Sequence, residues 1–325
     1  NLEIKSNANP LVVKKVSTLN IPEACHIQNN GDIIVINEDT GVEKIISTKE
    51  FLDESILKDL ASQISAKKKT FPMPEIEIIQ DKLGISIKKG GNSNQKADIL
   101  LDIKNVNFEK ENEGFGIKSY LGAKPTLLNA SGATNFIYEV SGLNIDALET
   151  INSIDTRTKY KDRLKKISDL GGQLNFYKIE KDELSYNLSL VDSMLPDLVA
   201  KMLQRFYENR TSSLSKNIEE LYNENKEIGI DLHSLQVKLK RLLVSNLLGF
   251  FPSIKWNGKN VSNGTIVVKK NGDQVGFHVS DMTPLEDYLF ENIKFDTPSS
   301  RNRFGLLYIE NNKKLYFKLN LQLRF

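Results

Sequence analysis

The chain has 325 residues, 39% hydrophobic and 26% charged, the ordinary balance of a soluble protein able to bury a sizeable core in one or two domains. Its formal charge of +2 excludes a protein that coats nucleic acid with a blanket of positive charge, but not one that confines positive potential to a cleft. Cys25 is the single cysteine, so neither an internal disulfide nor a structural zinc site is expected, and without a bilayer-length apolar run or a secretory leader the expected location is the cytoplasm, with no membrane contact.

Residues 1–50 alternate short apolar runs with the turn-forming Asn29-Asn30-Gly31-Asp32, the pattern of a β-rich lead-in. From Ser47 to Lys68 the apolar residues recur at three- and four-residue steps, which predicts a helix stopped by Pro72 and Pro74. Between Glu75 and Val140 the period falls to two, giving the strand candidates GISIKK, ADILLDIK, GFGIKSYL and NFIYEV. Residues 144–250 read as mainly helical, with Pro196 kinking or splitting the segment from Asp182 to Asn209. Beyond Pro252 two hairpins are expected, around Asn271-Gly272 and Asn311-Asn312, with a short helix at Leu285–Glu291 between them. The leucine-rich stripe from Leu235 to Leu248 is expected to be core or subunit interface.

The chemistry is expected in the strands around residue 100. Asp98, Leu100 and Asp102 share one face of a strand, as do Gly116 and Lys118 of the next, so pairing the two strands brings Asp98 beside Lys118. One reading is metal-assisted phosphodiester hydrolysis, with Asp98 holding Mg²⁺ through its oxygens and Lys118 orienting or deprotonating water and countering phosphate charge. The other is an ordinary ion pair on a half-exposed sheet. No Gly-rich phosphate loop of the GxxxxGK[ST] type is present, so no nucleotide cofactor is expected.

Two segments, GFGIKSYLGAKPTLLNASGATNFIYEV (Gly114 to Val140) and FDTPSSRNRFG with the terminal KLNLQLRF (Phe295 to Phe325), resemble the HpaII-type restriction endonucleases. The resemblance implies a PD-(D/E)xK nuclease core: an α+β (mixed α/β) fold with a central mixed sheet flanked by helices, plus a helical region and C-terminal β-hairpins. It implies a β-rich lead-in at 1–50, a catalytic core at 51–170, and a region for recognition and dimerisation at 171–325. Asp98 and Lys118 fit the class frame, in which the carbonyl of the residue before the lysine, here Ile117, often joins the metal. The departure is Gly116, which stands where the class carries a second acid. Glu75, Glu77, Asp102, Glu113 and Glu139 are the substitutes in reach of the sequence. Glu139 is favoured, because NFIYEV is expected to be a neighbouring strand and an acid closing an apolar run has few structural reasons to be there.

For contact with DNA, Arg301 and Arg303, with Ser299 and Ser300 in the same loop, either read guanine or, as an exposed Arg-x-Arg, simply meet solvent or phosphate. Lys88, Lys89 and Lys96 flank the approach to Asp98. Lys159 and Arg163 stand on a helix basic enough to meet phosphates, a run that a solvated helix face explains equally well, and Asn129 and Ser131 either bond DNA or cap the next element. The expected enzyme is a Type II restriction endonuclease, a Mg²⁺-dependent homodimer cutting double-stranded DNA at a short palindrome, and the resemblance implies that this is CCGG, cut after its first C. A nicking or repair nuclease of the same chemistry, or a DNA-binding protein without catalysis, are the alternatives.

Overall fold

A computed structural model describes residues 3–5, 12–18, 21–47, 62, 96–104, 109–225, 229–299, 304–310 and 313–325. The expected helix at 47–68, the strand GISIKK and the acids Glu75 and Glu77 lie outside the described residues. The chain divides into two compact units, residues 1–125 with 260–285, and residues 126–259 with 286–325.

The first unit carries a nine-stranded mixed sheet. Its strands are β1 (Glu3–Lys5), β2 (Val12–Ser17), β3 (Glu23–Ile27), β4 (Ile33–Asn37), β5 (Glu43–Ile46), β6 (Ile99–Lys104), β7 (Glu109–Ser119), β11 (Gly264–Val268) and β12 (Gln274–His278), in the order β1-β12-β11-β7-β6-β2-β3-β4-β5. β1 pairs with β12, and β7 with β11, in parallel; the other neighbours are antiparallel. The lead-in at 1–50 is thus continuous with the sheet that carries Asp98 and Lys118. Of the two expected hairpins, the one around Asn271-Gly272 belongs to this sheet as well. Ile4, Leu101, Ile103, Phe115 and Ile266 form a buried apolar cluster, with Val13, Val16, Ile99 and Val268 packed against it.

The second unit has a four-stranded sheet, β10-β9-β15-β14, from β9 (Asn135–Ser141), β10 (Gln173–Ile179), β14 (Leu307–Ile309) and β15 (Leu315–Asn320). A smaller sheet joins β8 (Thr126–Leu128), β13 (Lys294–Phe295) and β16 (Leu323–Arg324). Its helices are α1 (Ala147–Asn152), α2 (Lys159–Asp169), α3 (Asp182–Val191), α4 (Leu195–Tyr207), α5 (Leu214–Glu224) and α6 (Leu232–Leu248), and α7 (Thr283–Asn292) runs into it. The segment 182–209 splits as expected: α3 ends at Val191, and Pro196 sits in the first turn of α4, where a missing N–H costs no helical bond. In α6, Asp231 caps the start by accepting the Ser234 N–H at 2.9 Å. The stripe Leu235, Leu239, Leu242, Leu243, Leu247 and Leu248 is buried.

The stretch 144–250 is mainly helical, with one strand inside it: Gln173–Ile179 forms β10 against β9. One expectation changes here. NFIYEV is a strand but does not adjoin β7: β9 is hydrogen-bonded on its two sides by β10 and β15, whereas β7 is flanked by β6 and β11.

Candidate active site

The site is built where β6 begins beside β7. Ile99 stands opposite Phe115, and the Asp98 N–H donates to the Phe115 carbonyl at 2.8 Å, so Asp98 lies level with Gly116. Side chains alternate along β7, which puts Gly116 and Lys118 on one face and Phe115 and Ile117 on the other. Asp98 Oδ2 accepts the backbone N–H of Ile117 at 2.6 Å. On the far side of β7, the buried Thr265 hydroxyl donates to the Gly116 carbonyl at 3.0 Å. Neighbouring residues direct their backbone groups to opposite sides, so the Ile117 carbonyl, like its N–H, faces the strand edge occupied by Asp98.

Lys118 is half-buried. Burial lowers its pKa from the usual lysine value, and the Asp98 carboxylate opposes that shift by favouring the charged form. Lys96, two residues before Asp98, joins the same electrostatic group: burial first, and the Lys118 charge second, bring it down to about 7. The sequence places Lys96 near the site, but not its coupling to Lys118. The available signal was the two-residue spacing of Lys96 from Asp98 at the entry to an expected strand.

Gly116 itself explains the missing acid. A Cβ at this position would lie 2.7 Å from the Lys96 carbonyl oxygen and 3.9 Å from Asp98 Oδ2. No side chain fits there without moving backbone, so the position at which the PD-(D/E)xK expectation would put a second carboxylate is closed by the approach of residues 96–98.

Each substitute acid within the described residues has a partner of its own. Glu113 is on the Phe115 face of β7 and bonds His278 Nε2 at 3.0 Å, while the His278 ring stacks on Phe115. Asp102 accepts the Asn112 N–H at 2.8 Å and lies 3.4 Å from Lys15 Nζ. Glu139 is ion-paired to Lys314 at 2.9 Å on β9, so the strand adjacency that favoured it as a metal ligand is gone. Among the described residues no cluster of three or more His, Cys, Asp or Glu side chains is arranged to hold a metal. The donors present are the Asp98 carboxylate and the Ile117 carbonyl. Mg²⁺ accepts such a set, since it binds through one or two carboxylates and fills its shell with water and substrate phosphate.

A scan against family models matches residues 2–325 to the HpaII restriction endonuclease model. The chain is also 33% identical over 308 residues to the Type II restriction enzyme HpaII of Haemophilus parainfluenzae, covering 92% of this chain and 84% of that protein. The chain belongs to the HpaII restriction endonuclease family. Membership makes it a Type II restriction endonuclease, whose substrate is double-stranded DNA. No solved structure matches the chain.

The expected DNA contacts fall out unevenly. Lys88, Lys89, Ser300, Arg301 and Arg303 lie outside the described residues, and Ser299 is exposed. Asn129 is exposed, whereas Ser131 caps the short helical turn Gly132–Thr134, accepting the Ala133 N–H at 3.1 Å. Lys159 pairs with Asp155 at 2.7 Å. Arg163 is corrected from a phosphate contact to a structural one: it is 5% exposed, and its guanidinium donates to the carbonyls of Ile154 at 3.0 Å, Gly305 at 2.7 Å and Asn152 at 2.9 Å.

Proposed function

We propose that this HpaII-family enzyme cleaves both strands of CCGG after the first C, as a Mg²⁺-dependent homodimer with a PD-(D/E)xK-type site at Asp98, Ile117 and Lys118. The observation that carries the reading is the Asp98 carboxylate bonded to the amide of Ile117, with the half-buried Lys118 next in the strand. Asp98 and the Ile117 carbonyl would hold the metal, which when bound supplies Lewis-acid polarisation of the phosphate and a more acidic water. The chain's own part is positional. Asp98 is oriented by the Ile117 N–H, and Lys118 directs its ammonium to the side of the sheet where phosphate charge builds.

Homodimerisation is supported by symmetry, because a palindromic duplex offers two equivalent scissile bonds and a two-fold protein offers a site to each. Among the described residues no helix is long and apolar enough to cross a membrane, and we place the enzyme in the cytoplasm with the DNA it acts on.

The test incubates purified protein with Mg²⁺ and plasmids carrying or lacking CCGG. Linear product from the first plasmid alone is the expected result. Nicked circles alone would replace the dimer with a monomeric nicking enzyme, and binding without cleavage at every metal concentration would remove the catalytic reading. Lys118→Ala should cut at least about 100-fold more slowly while still binding the duplex; wild-type cleavage by that variant would remove Lys118 from the mechanism.

A further inference from the structure

The second unit holds a cleft of about 630 Å³ at the meeting of α2, the first residues of β10 and the end of α4. Three cations line it: Lys161 and Lys165, one helical turn apart on α2, and Arg210 just beyond α4. Four amide side chains, Gln173, Asn175, Gln204 and Asn209, complete most of its polar wall. Glu208 is its one carboxylate, and Gln204 Nε2 already donates to it at 2.8 Å.

An ordinary solvated helix face would interleave these charges with acids. Here Asp155 pairs with Lys159, and Asp162, whose carboxylate also feels the Lys165 charge, is held by the hydroxyls of Thr156 and Thr158; Asp169 ends the helix. Among the described residues, no carboxylate is at ion-pair distance from Lys161 or Lys165. Lys161 Nζ lies instead 5.1 Å from the centre of the Phe206 ring. Arg210 reaches Glu224 only at 3.8 Å, and that acid also serves Arg205.

Lysine, arginine and side-chain amides are the groups that proteins use on DNA phosphates and sugars. The wall has no aromatic ring on which to stack a base, and Leu164 and Leu174 are its only large apolar residues. Both facts favour backbone over base as the occupant.

We propose that this cleft grips the phosphate backbone of the duplex, as a contact separate from the Asp98–Lys118 site and blind to sequence. The proposal rests on the DNA-cleaving reading above. It also replaces Arg163, which faces inward, with the two lysines that flank it on the outward side of α2.

The test measures affinity for labelled duplexes with and without CCGG across a salt series in Ca²⁺, by fluorescence anisotropy. Removing three phosphate contacts with Lys161→Gln/Lys165→Gln/Arg210→Gln should flatten the slope of log K against log[salt] by about 2 to 3 and weaken both duplexes alike, by at least about tenfold at physiological salt. Lys165→Gln alone, at an exposed position, should flatten it by about 1. Glu208→Gln should tighten binding, a sign that damage to the fold would not produce. Unchanged slopes and affinities in variants that still cut would overturn the cleft and leave the nuclease reading intact. A wild-type protein that neither binds nor cuts duplex DNA would overturn both.

Discussion

A Cβ on Gly116 would stand 2.7 Å from the carbonyl oxygen of Lys96. This contact closes the position at which the proposed PD-(D/E)xK reading would place a second acid. Gly116→Asp should therefore fail to add a metal ligand. It should instead cost about 1 to 3 kcal/mol by forcing residues 96–98 away, and disturb Asp98 with them. Chemical denaturation of Gly116→Ala and Gly116→Asp, with Mg²⁺ titrated calorimetrically into each, checks this. A Gly116→Asp protein of wild-type stability and tighter Mg²⁺ binding would contradict it.

Asp98 has two separable tasks, accepting the Ile117 N–H and supplying negative charge. Asn keeps an oxygen for the first and loses the second. Asp98→Asn should unfold within about 1 kcal/mol of wild type. Its heat of Mg²⁺ binding and its cleavage should both vanish. Retained metal binding would mean that the ligands lie elsewhere, with Glu75 and Glu77 next to be replaced.

Lys96 ties stability to pH. Its pKa of about 7 in the fold lies below the ordinary 10.5 of the unfolded chain, so between those values the unfolded state holds the extra proton and stability rises with pH. Below about 7 both states are charged and the fold bears the full cost of burying the ammonium beside Lys118. Lys96→Met should thus be more stable than wild type at pH 7, on the order of 2 kcal/mol once partial solvation is allowed for, with the gap closing toward pH 10.5. Denaturation in EDTA at several pH values reads this directly; a variant less stable at pH 7 would refute it.

What could be read from the sequence follows the range of the interaction that decides it. The register that sets Asp98 level with Gly116 depends on a period of two within some twenty residues, and the α6 stripe and the Asn271-Gly272 hairpin are equally local. Assigning β9 to a sheet was not local. Its partner β15 lies at residues 315–320, so the apolar run NFIYEV looked the same whichever sheet it joined. The strand β10 was hidden because Gln173–Ile179 sits between helical segments and its exposed and covered positions alternate only partly. The cleft was hidden for a related reason. Arg210 meets α2 only through the packing of α4, and the basic run on α2 reveals nothing about which of its members turns inward.

Arg163 tests that last distinction. Its guanidinium satisfies the carbonyls of Asn152, Ile154 and Gly305, tying α2 to the turn that follows α1 and to the segment before β14. Removing it leaves three partly buried acceptors short of a charged donor, so Arg163→Ala should lower stability on the order of 3 kcal/mol. Arg163→Lys should recover only part, because an ammonium cannot reproduce the planar fork. At a temperature where Arg163→Ala remains folded, its salt dependence of DNA binding should equal that of wild type, the reverse of the pattern expected for Lys165→Gln. Circular dichroism melts paired with anisotropy at two salt concentrations separate the cases, and a flattened salt slope in folded Arg163→Ala would return this arginine to the DNA interface.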